Sequence, residues 1–284
     1  HGWCYRVSTS AFKKIPGSPI AYWISERATL AFCDFPSLGK ISSPKKGLDT
    51  GENNRFLRLW QEVNISTAYF HAQSSLEAER SNKTWFPINR GGGYRKWFGN
   101  CEYLIHWKCN GKYIKSIRDS TGKIRANLRS PDFYFRESIT WGAITSAKFS
   151  ARFCPRGGLF GAGGYSVFVD DSDRLKNILA FLSSNTAEYL LEFISPTLNF
   201  EAGNISSLPT NLVEAESISD LISYSRLDWD SYETSWDFTS LPLLNSNYRQ
   251  PTLKATYQKL RADWREMTLE MQRLEEENNR IFID

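Results

Sequence analysis

Apolar residues recur most regularly at the C-terminal end of the chain. Leu253, Tyr257, Leu260, Trp264, Met267, Met271, Leu274, Asn278 and Ile281 are separated alternately by four and three positions. This is the spacing of a coiled-coil seam, and it predicts one helix of about 30 residues, roughly 45 Å long. A second helical stripe runs through Leu175, Ile178, Leu179, Leu182, Leu190 and Phe193. Asp170, Asp171 and Asp173 stand at its start, where the helix dipole favours acids, and Ser195-Pro196 stops it. Core packing is the expected role of that stripe.

The middle of the chain reads mainly as strands. Glycines and small polar residues over 47–54 mark a turn, after which Phe56, Leu57, Leu59 and Trp60 enter a packed strand. Asn110-Gly111 between 102–108 and 112–117 is a hairpin signal. Residues 138–153 alternate apolar and polar positions, and Tyr165–Phe168 reads as a further strand. Before Leu48, Pro16, Pro19, Pro36 and Pro44 break the chain into an irregular connector, with one short helix or strand near residues 21–32. The expected fold is therefore α+β, with twisted, mostly antiparallel or mixed sheets, packing helices and a long C-terminal helix. The expected divisions are a connector (1–46), a sheet-rich domain (47–210), an acidic linker (211–250) and the coiled-coil-like helix (251–284).

The formal net charge of +4 is unevenly spread. Residues 80–156 carry 16 Lys/Arg against Glu102, Asp119, Asp132 and Glu137, a net +12, whereas residues 157–250 are net −9. Aromatic residues are interleaved through the basic stretch, among them Trp85, Tyr94, Trp97, Trp107, Phe133 and Trp141. Such concentrated charge repels itself unless a polyanion or an acidic face of the same chain neutralises it. Two readings stay open here: a nucleic-acid surface, or a basic face paired internally with the acidic second half. Arg90-Gly91-Gly92-Gly93-Tyr94-Arg95-Lys96 reads either as a loop that closes over a phosphate backbone or as a plain loop tip.

Catalytic chemistry is not apparent. Leu159–Gly164 has the glycines of a nucleotide loop but is followed by a strand rather than a helix, so it fails the context test for one. Neither a Walker loop, an H-E-x-x-H helix nor a nucleophile elbow occurs. Asp228 and Asp230 lack a partner base and read as polar positions between aromatics. Cys4, Cys33, Cys101, Cys109 and Cys154 form no C-x-x-C pair, and their pattern predicts reduced thiols in the cytoplasm and no metal site. No apolar run approaches the ~20 residues of a membrane helix. His1 opens the chain, and its methionines are Met267 and Met271, so it is read as a piece of a longer protein.

Several segments together carry a family resemblance. They include Phe12–Trp23 (FKKIPGSPIAYW), Gly47–Arg58 (GLDTGENNRFLR), Gly92–Asn100 (GGYRKWFGN), Pro196–Phe200 (PTLNF), Asp228–Ser231, Glu233–Asp237 and Glu275–Phe282 (EEENNRIF). In this order they resemble the region following the methyltransferase domain in the PglX family, the adenine-specific DNA methyltransferases of BREX phage-defence systems. These are related to type IIG/IIL restriction–modification enzymes.

The resemblance implies a DNA target-recognition region for an adenine-N6 methyltransferase. S-adenosylmethionine and the base-gripping motif would belong to an upstream domain, so no cofactor is expected in this chain. Implied partners are double-stranded DNA, the parent's methyltransferase domain, other defence-system proteins and phage proteins that mimic DNA. The candidate DNA-binding residues are Lys45, Lys46, Arg55, Arg90, Arg95, Lys96, Arg129, Arg136, Lys148, Arg152 and Arg156. Most are expected to touch phosphates, which position without specifying. The alternative is a protein-interaction module that uses the C-terminal seam and the acidic segment to assemble defence components.

Overall fold

The structure, a computed structural model, describes residues 12–20 and 22–283. Residues 1–11 of the expected connector, Cys4 among them, and residue 21 lie outside the described residues. Where the connector is described, Ser25 caps helix α1 (Glu26–Asp34), its hydroxyl accepting from the Ala28 N–H at 3.2 Å. A short α2 (Leu38–Ile41) then leads into strand β1 (Ser43–Lys45).

The fold is α+β, and two four-stranded sheets form among the described residues. The first has the order β1–β8–β5–β6, with β5 at Ser138–Gly142, β6 at Ala151–Cys154 and β8 at Gly164–Phe168. All its pairs are antiparallel, with Lys45 opposite Ser166, Ile139 opposite Val167 and Ser138 opposite Cys154. The second has the order β2–β4–β3–β7 (Leu57–Leu59, Tyr103–His106, Trp85–Asn89, Leu159–Phe160). It is mixed, because β3 pairs in parallel with β7. The alternation expected over 138–153 is absent from β5, where Ser138, Ile139, Thr140 and Trp141 are all buried because the strand lies between two others. Its buried hydroxyl is used: Thr140 Oγ1 donates to the Tyr165 carbonyl at 3.0 Å.

Three residues separate β7 from β8, so the chain changes sheets within a single turn. The glycines here permit close backbone crossing. A Cβ on Gly47 would meet the Phe160 carbonyl oxygen at 2.1 Å, and one on Gly164 would meet the Gly91 nitrogen at 2.5 Å. The glycine run that resembles a nucleotide loop is thus a packing device.

Each sheet has its own core. Ile139, Trp141, Tyr165 and Val167 pack against Ile178, Leu179 and Leu182 of helix α6 (Ser172–Leu182) and Leu190 and Leu191 of α7 (Asn185–Ile194). Around the second sheet, Phe86, Ile88, Ile105, Trp107, Phe135, Phe160 and Phe168 form the other cluster. Asp171 caps α6 as its position suggests, accepting from the Arg174 N–H at 2.6 Å. The single helix expected over 170–194 is in fact two. Ser184 Oγ accepts from the Ala187 N–H at 3.2 Å and so starts α7 with its own cap, which breaks the stripe at Ser183–Ser184.

Another expectation fails at Asn110-Gly111. Cys109, Asn110 and Gly111 do take the left-handed backbone that a hairpin turn requires. The chain then continues as helix α5 (Lys108–Ser116) instead of a returning strand, because Ile114 and Ile117 bury into the second core at a spacing of three. Within the stretch expected as an acidic linker, Ile218, Leu221, Ser225 and Trp229 are buried along helix α9 (Ile218–Asp230).

The long helix predicted at the C-terminus is α10 (Leu253–Ile281). Its C-terminal half docks on the body. Leu274 joins the first core, Asn278 Nδ2 donates to the Ala180 carbonyl at 3.0 Å, and Glu275 accepts from Trp97 Nε1 at 2.6 Å. Its N-terminal half packs on the segment before it, through Tyr248 to Asp263 (2.6 Å) and Lys259 to the Asn247 carbonyl (2.7 Å), and buries Thr256 and Leu260. Leu253 and Tyr257 stay 71% and 49% exposed there.

The two sheets are tied beneath the glycine loop by Arg152, a β6 residue with 0% exposure. Its guanidinium donates to the carbonyls of Gly91 (3.1 Å) and Arg95 (3.3 Å), while its Nε has no partner. Burial pushes its pKa down to about 10, so it remains charged at neutral pH. Replacing it leaves two backbone acceptors without a donor. Arg152→Ala is expected to lower the free energy of unfolding by about 2–6 kcal/mol, read from urea melts, since each buried acceptor left unsatisfied costs roughly 1–3 kcal/mol.

Candidate nucleic-acid interface

The longest open run of cations starts at α5. Trp107 precedes the helix, and a Cβ on Gly111 would meet the Trp107 ring at 2.6 Å, so the left-handed turn packs directly on that ring. Asn110 Nδ2 donates to Glu79 at 2.9 Å. Anchored this way, with Ile114 inward, the helix leaves Lys112 and Lys115 in solvent. A rigid turn follows. Asp119 accepts from the Thr121 hydroxyl (2.6 Å), the Thr121 N–H (2.8 Å) and the Lys123 N–H (3.0 Å). These hydrogen bonds, that from the Thr121 side chain foremost, hold its carboxyl below the usual range. The turn is closed by the Arg118–Ile124 bridge and by the Arg125 N–H to the Ile117 carbonyl at 3.0 Å. Arg118, Lys123, Arg125 and Arg129 project from it into water.

This run lies against the segment after β1. Asp49 and Asn127 exchange two backbone hydrogen bonds of 2.8 Å, and Glu52 pairs with Arg125 at 2.7 Å and Arg55 at 3.7 Å. Lys45 Nζ and the Arg136 guanidinium both stand over the Phe133 ring, at 5.2 and 5.3 Å. Lys46 lies 5.2 Å from the Tyr165 ring. Four of the expected residues, Lys45, Arg55, Arg129 and Arg136, therefore lie along this run, whereas Lys46 points to the other face of the sheet, towards Tyr165 of the first core. Residues 108–136 alone contribute eight Lys/Arg against Asp119 and Asp132. Among the described residues, Lys108, Lys112, Lys115, Arg118, Lys123 and Arg129 form no ion pair within 4 Å.

The other expected residues are placed elsewhere. Arg95 is paired with Asp228 at 2.5 Å, donates to the Phe98 carbonyl at 2.9 Å and stacks 5.0 Å from the Trp229 ring. Lys96 is paired with Glu275 at 3.3 Å. Arg152 is fully buried. Arg95 and Lys96 fasten the glycine loop to α9 and α10, and Arg152 fastens it to β6. Lys148 is paired with Glu188 at 2.7 Å, which raises its pKa. Arg90 stacks 5.4 Å from Tyr103, and Arg156 is exposed at the mouth of a cavity. Arg136 also reaches Asp170, at 2.5 Å.

Sequence reasoning passed over Lys112, Lys115, Arg118, Lys123 and Arg125. Read as a strand, residues 112 and 115 face opposite ways; as a helix, at a spacing of three, they share a face. The signal was the apolar pair Ile114 and Ile117, whose spacing is helical.

His106 stands under this surface, between the rings of Phe56, Trp85 and Tyr113 at 6.3, 5.4 and 5.5 Å. Burial lowers its pKa, and the positive charges of Lys108 and Arg55 push the same way.

No family model matches the chain. It is 42% identical over 290 residues to the adenine-specific methyltransferase PglX of Lacticaseibacillus casei (strain Zhang), an alignment covering 99% of this chain and 24% of that protein. It is 41% identical over 240 residues to the adenine-specific methyltransferase BrxX of Escherichia coli O9:H4 (strain HS), covering 82% of this chain and 18% of that protein. The chain thus spans about a quarter or less of the length of these relatives.

A test of the half-buried His106 follows from the sign of its shift. The unfolded chain takes up this proton at a higher pH than the folded one. The stability that depends on neutral His106 is therefore complete above about pH 6.5 and is lost as the pH falls through 6.5 towards the lower folded value. Thermal melts between pH 5 and 8 should show a drop in midpoint on acidification that is smaller in His106→Gln.

Proposed function

We propose, on the premise that this chain is homologous over most of its length to a segment of the PglX and BrxX adenine-specific methyltransferases, that it is the DNA-holding, target-recognition part of such an enzyme. The observation that carries this reading is the cationic surface of α5, the 117–130 turn and the adjoining 45–55 segment, where Lys112, Lys115, Arg118 and Lys123 have no acidic partner among the described residues and Arg125 and Arg55 share Glu52. Its charges are spread along two adjacent segments, as contact with a chain of phosphates requires. Lys112, Lys115, Arg118 and Lys123 hold phosphates. Asn127 and Arg129, at the rim of the same surface, can reach a base edge, Asn towards adenine and Arg towards guanine. Methyl transfer, and the S-adenosylmethionine it consumes, are assigned to parts of the parent outside these residues.

A second reading, as a protein-interaction module, rests on the N-terminal half of α10. Leu253 and Tyr257 continue the seam into solvent there without the cover that Leu274 has.

Fluorescence anisotropy with random-sequence duplex across a salt series tests the first reading. Neutralising 6–10 phosphates gives a log–log slope of roughly −5 to −9. Lys112→Ala combined with Arg118→Ala should flatten that slope by about 2 units, one per lost phosphate contact. Arg95→Ala combined with Lys96→Ala should leave the slope unchanged and lower the melting temperature, since both side chains are held by acids of this chain. Salt-independent binding, or the reverse pattern between the two double variants, would sink the proposal.

A further inference from the structure

A cavity of about 310 Å³ opens where the two sheets meet, on residues that the cationic surface does not use. Its walls are aromatic. Phe98 is buried, Phe153 is half-buried, and Phe70 and Trp236 are tilted at 47° with ring centroids 5.1 Å apart. This volume stands at the lower end for ligand sites and fits a molecule of one or two rings.

The interior offers neutral polar groups. Asn89 accepts from the Gly91 N–H at 3.1 Å and donates one amide hydrogen to Thr140, which leaves its second N–H free. Asn100 donates to the Gly93 carbonyl at 2.8 Å, which leaves its Oδ1 free to accept. Cys101 and Cys154 also line the interior. Burial raises both thiols, Cys154 to about 11, so they stay protonated and serve as soft walls without acting as nucleophiles.

The charged lining residues are Arg156, Arg226 and Asp237, and the Arg226 guanidinium stands 5.3 Å over the Phe98 ring. Arg226 is taken by Asp237 at 3.2 Å and Asp230 at 3.4 Å. Arg156 is exposed and, among the described residues, has no carboxylate within 4 Å. A ligand matching this lining has a flat ring for the aromatic walls, an edge with both donor and acceptor for the two asparagines, and an anionic group at the rim.

We propose that this cavity binds a nucleotide, its base between the aromatic walls and its phosphate at Arg156. Bases stack on aromatic side chains regardless of identity, and a base swung out of a duplex is received in such pockets. The nucleotide can be free or part of an extruded strand position. The second source extends the nucleic-acid reading above.

Trp236 supplies the signal for a test on the whole 284-residue chain. Each of the four deoxynucleoside monophosphates is titrated while tryptophan fluorescence is followed. A duplex with 2-aminopurine opposite an abasic site is titrated separately, following the probe. Saturable quenching is expected with at least one probe. Trp236→Leu should weaken that binding at least tenfold, with an unchanged far-ultraviolet circular dichroism spectrum. Exposed Arg156→Gln, which touches no core, should weaken the nucleotide but not the matching nucleoside. Response to the monophosphates alone identifies the free source, response to the duplex alone the extruded one, and either supports the site. No saturable response to any probe, or a response unmoved by both variants, overturns it. The salt slope of duplex binding is measured on the same preparations. If it is normal while the cavity fails, only the cavity proposal falls; if duplex binding is absent, the earlier reading falls on its own.

Discussion

The joint between the two sheets depends on a charge with no acid beside it. Arg152 sits at 0% exposure and spends two donors on the carbonyls of Gly91 and Arg95. Those carbonyls belong to a loop that takes positive φ at Gly91 and Gly92 and meets β6 in an isolated parallel bridge between Trp97 and Arg152. A buried charge is tolerated only when its hydrogen bonds are satisfied by fixed dipoles. The same requirement fixes where the loop must run. Once it is there, Trp97 lies against Ala151 and Phe153 through backbone hydrogen bonds of 3.0 and 2.7 Å, and its indole N–H points at Glu275. The position of α10 thus follows from the geometry under the glycine loop.

That arrangement divides the basic residues into two populations. Those near the joint meet acids from the second half of the chain: Arg95 with Asp228 and Lys96 with Glu275. Those on α5 and the following turn meet almost none, since Asp119 is spent on its own turn and Glu52 is shared between Arg55 and Arg125. Of the two arrangements weighed from charge counting, internal neutralisation holds at the joint. Over 108–136 only Arg125 and Arg136 have an acidic partner among the described residues.

How much of this was legible in the sequence depends on the range of the interaction. The α10 seam and the Asp171 cap are local patterns, and both are present as read. The break at Ser183–Ser184 is also local, but the apolar stripe runs across it with nearly helical spacing, which hides it. The left-handed turn at Asn110-Gly111 was correctly signalled. What came after it was decided by Ile114 and Ile117 packing into the second core, which no dipeptide encodes. The fate of Arg95, Lys96 and Arg152 was least legible. Their partners lie 133 and 179 residues along the chain for the first two, and for the third they are backbone carbonyls, which sequence charge does not count.

The long helix shows how one regular sequence pattern can serve two purposes. Its seam repeats without interruption from Leu253 to Ile281, yet its C-terminal half joins the first core while its N-terminal half buries Leu260 and leaves Leu253 and Tyr257 exposed. There the polar seam position Asn278 is buried and its Nδ2 donates to the Ala180 carbonyl, which fixes the helix in register against α6, since sliding it by one turn would strand that donor in the core as its Oδ1 already is. Glu275, three residues before it, fixes the rotation by meeting Trp97 and Lys96 together. With both translation and rotation set at one end, the direction of the other end is set as well. Leu253 and Tyr257 are therefore held at a defined place beyond the body, at an angle dictated by the same joint that organises the glycine loop.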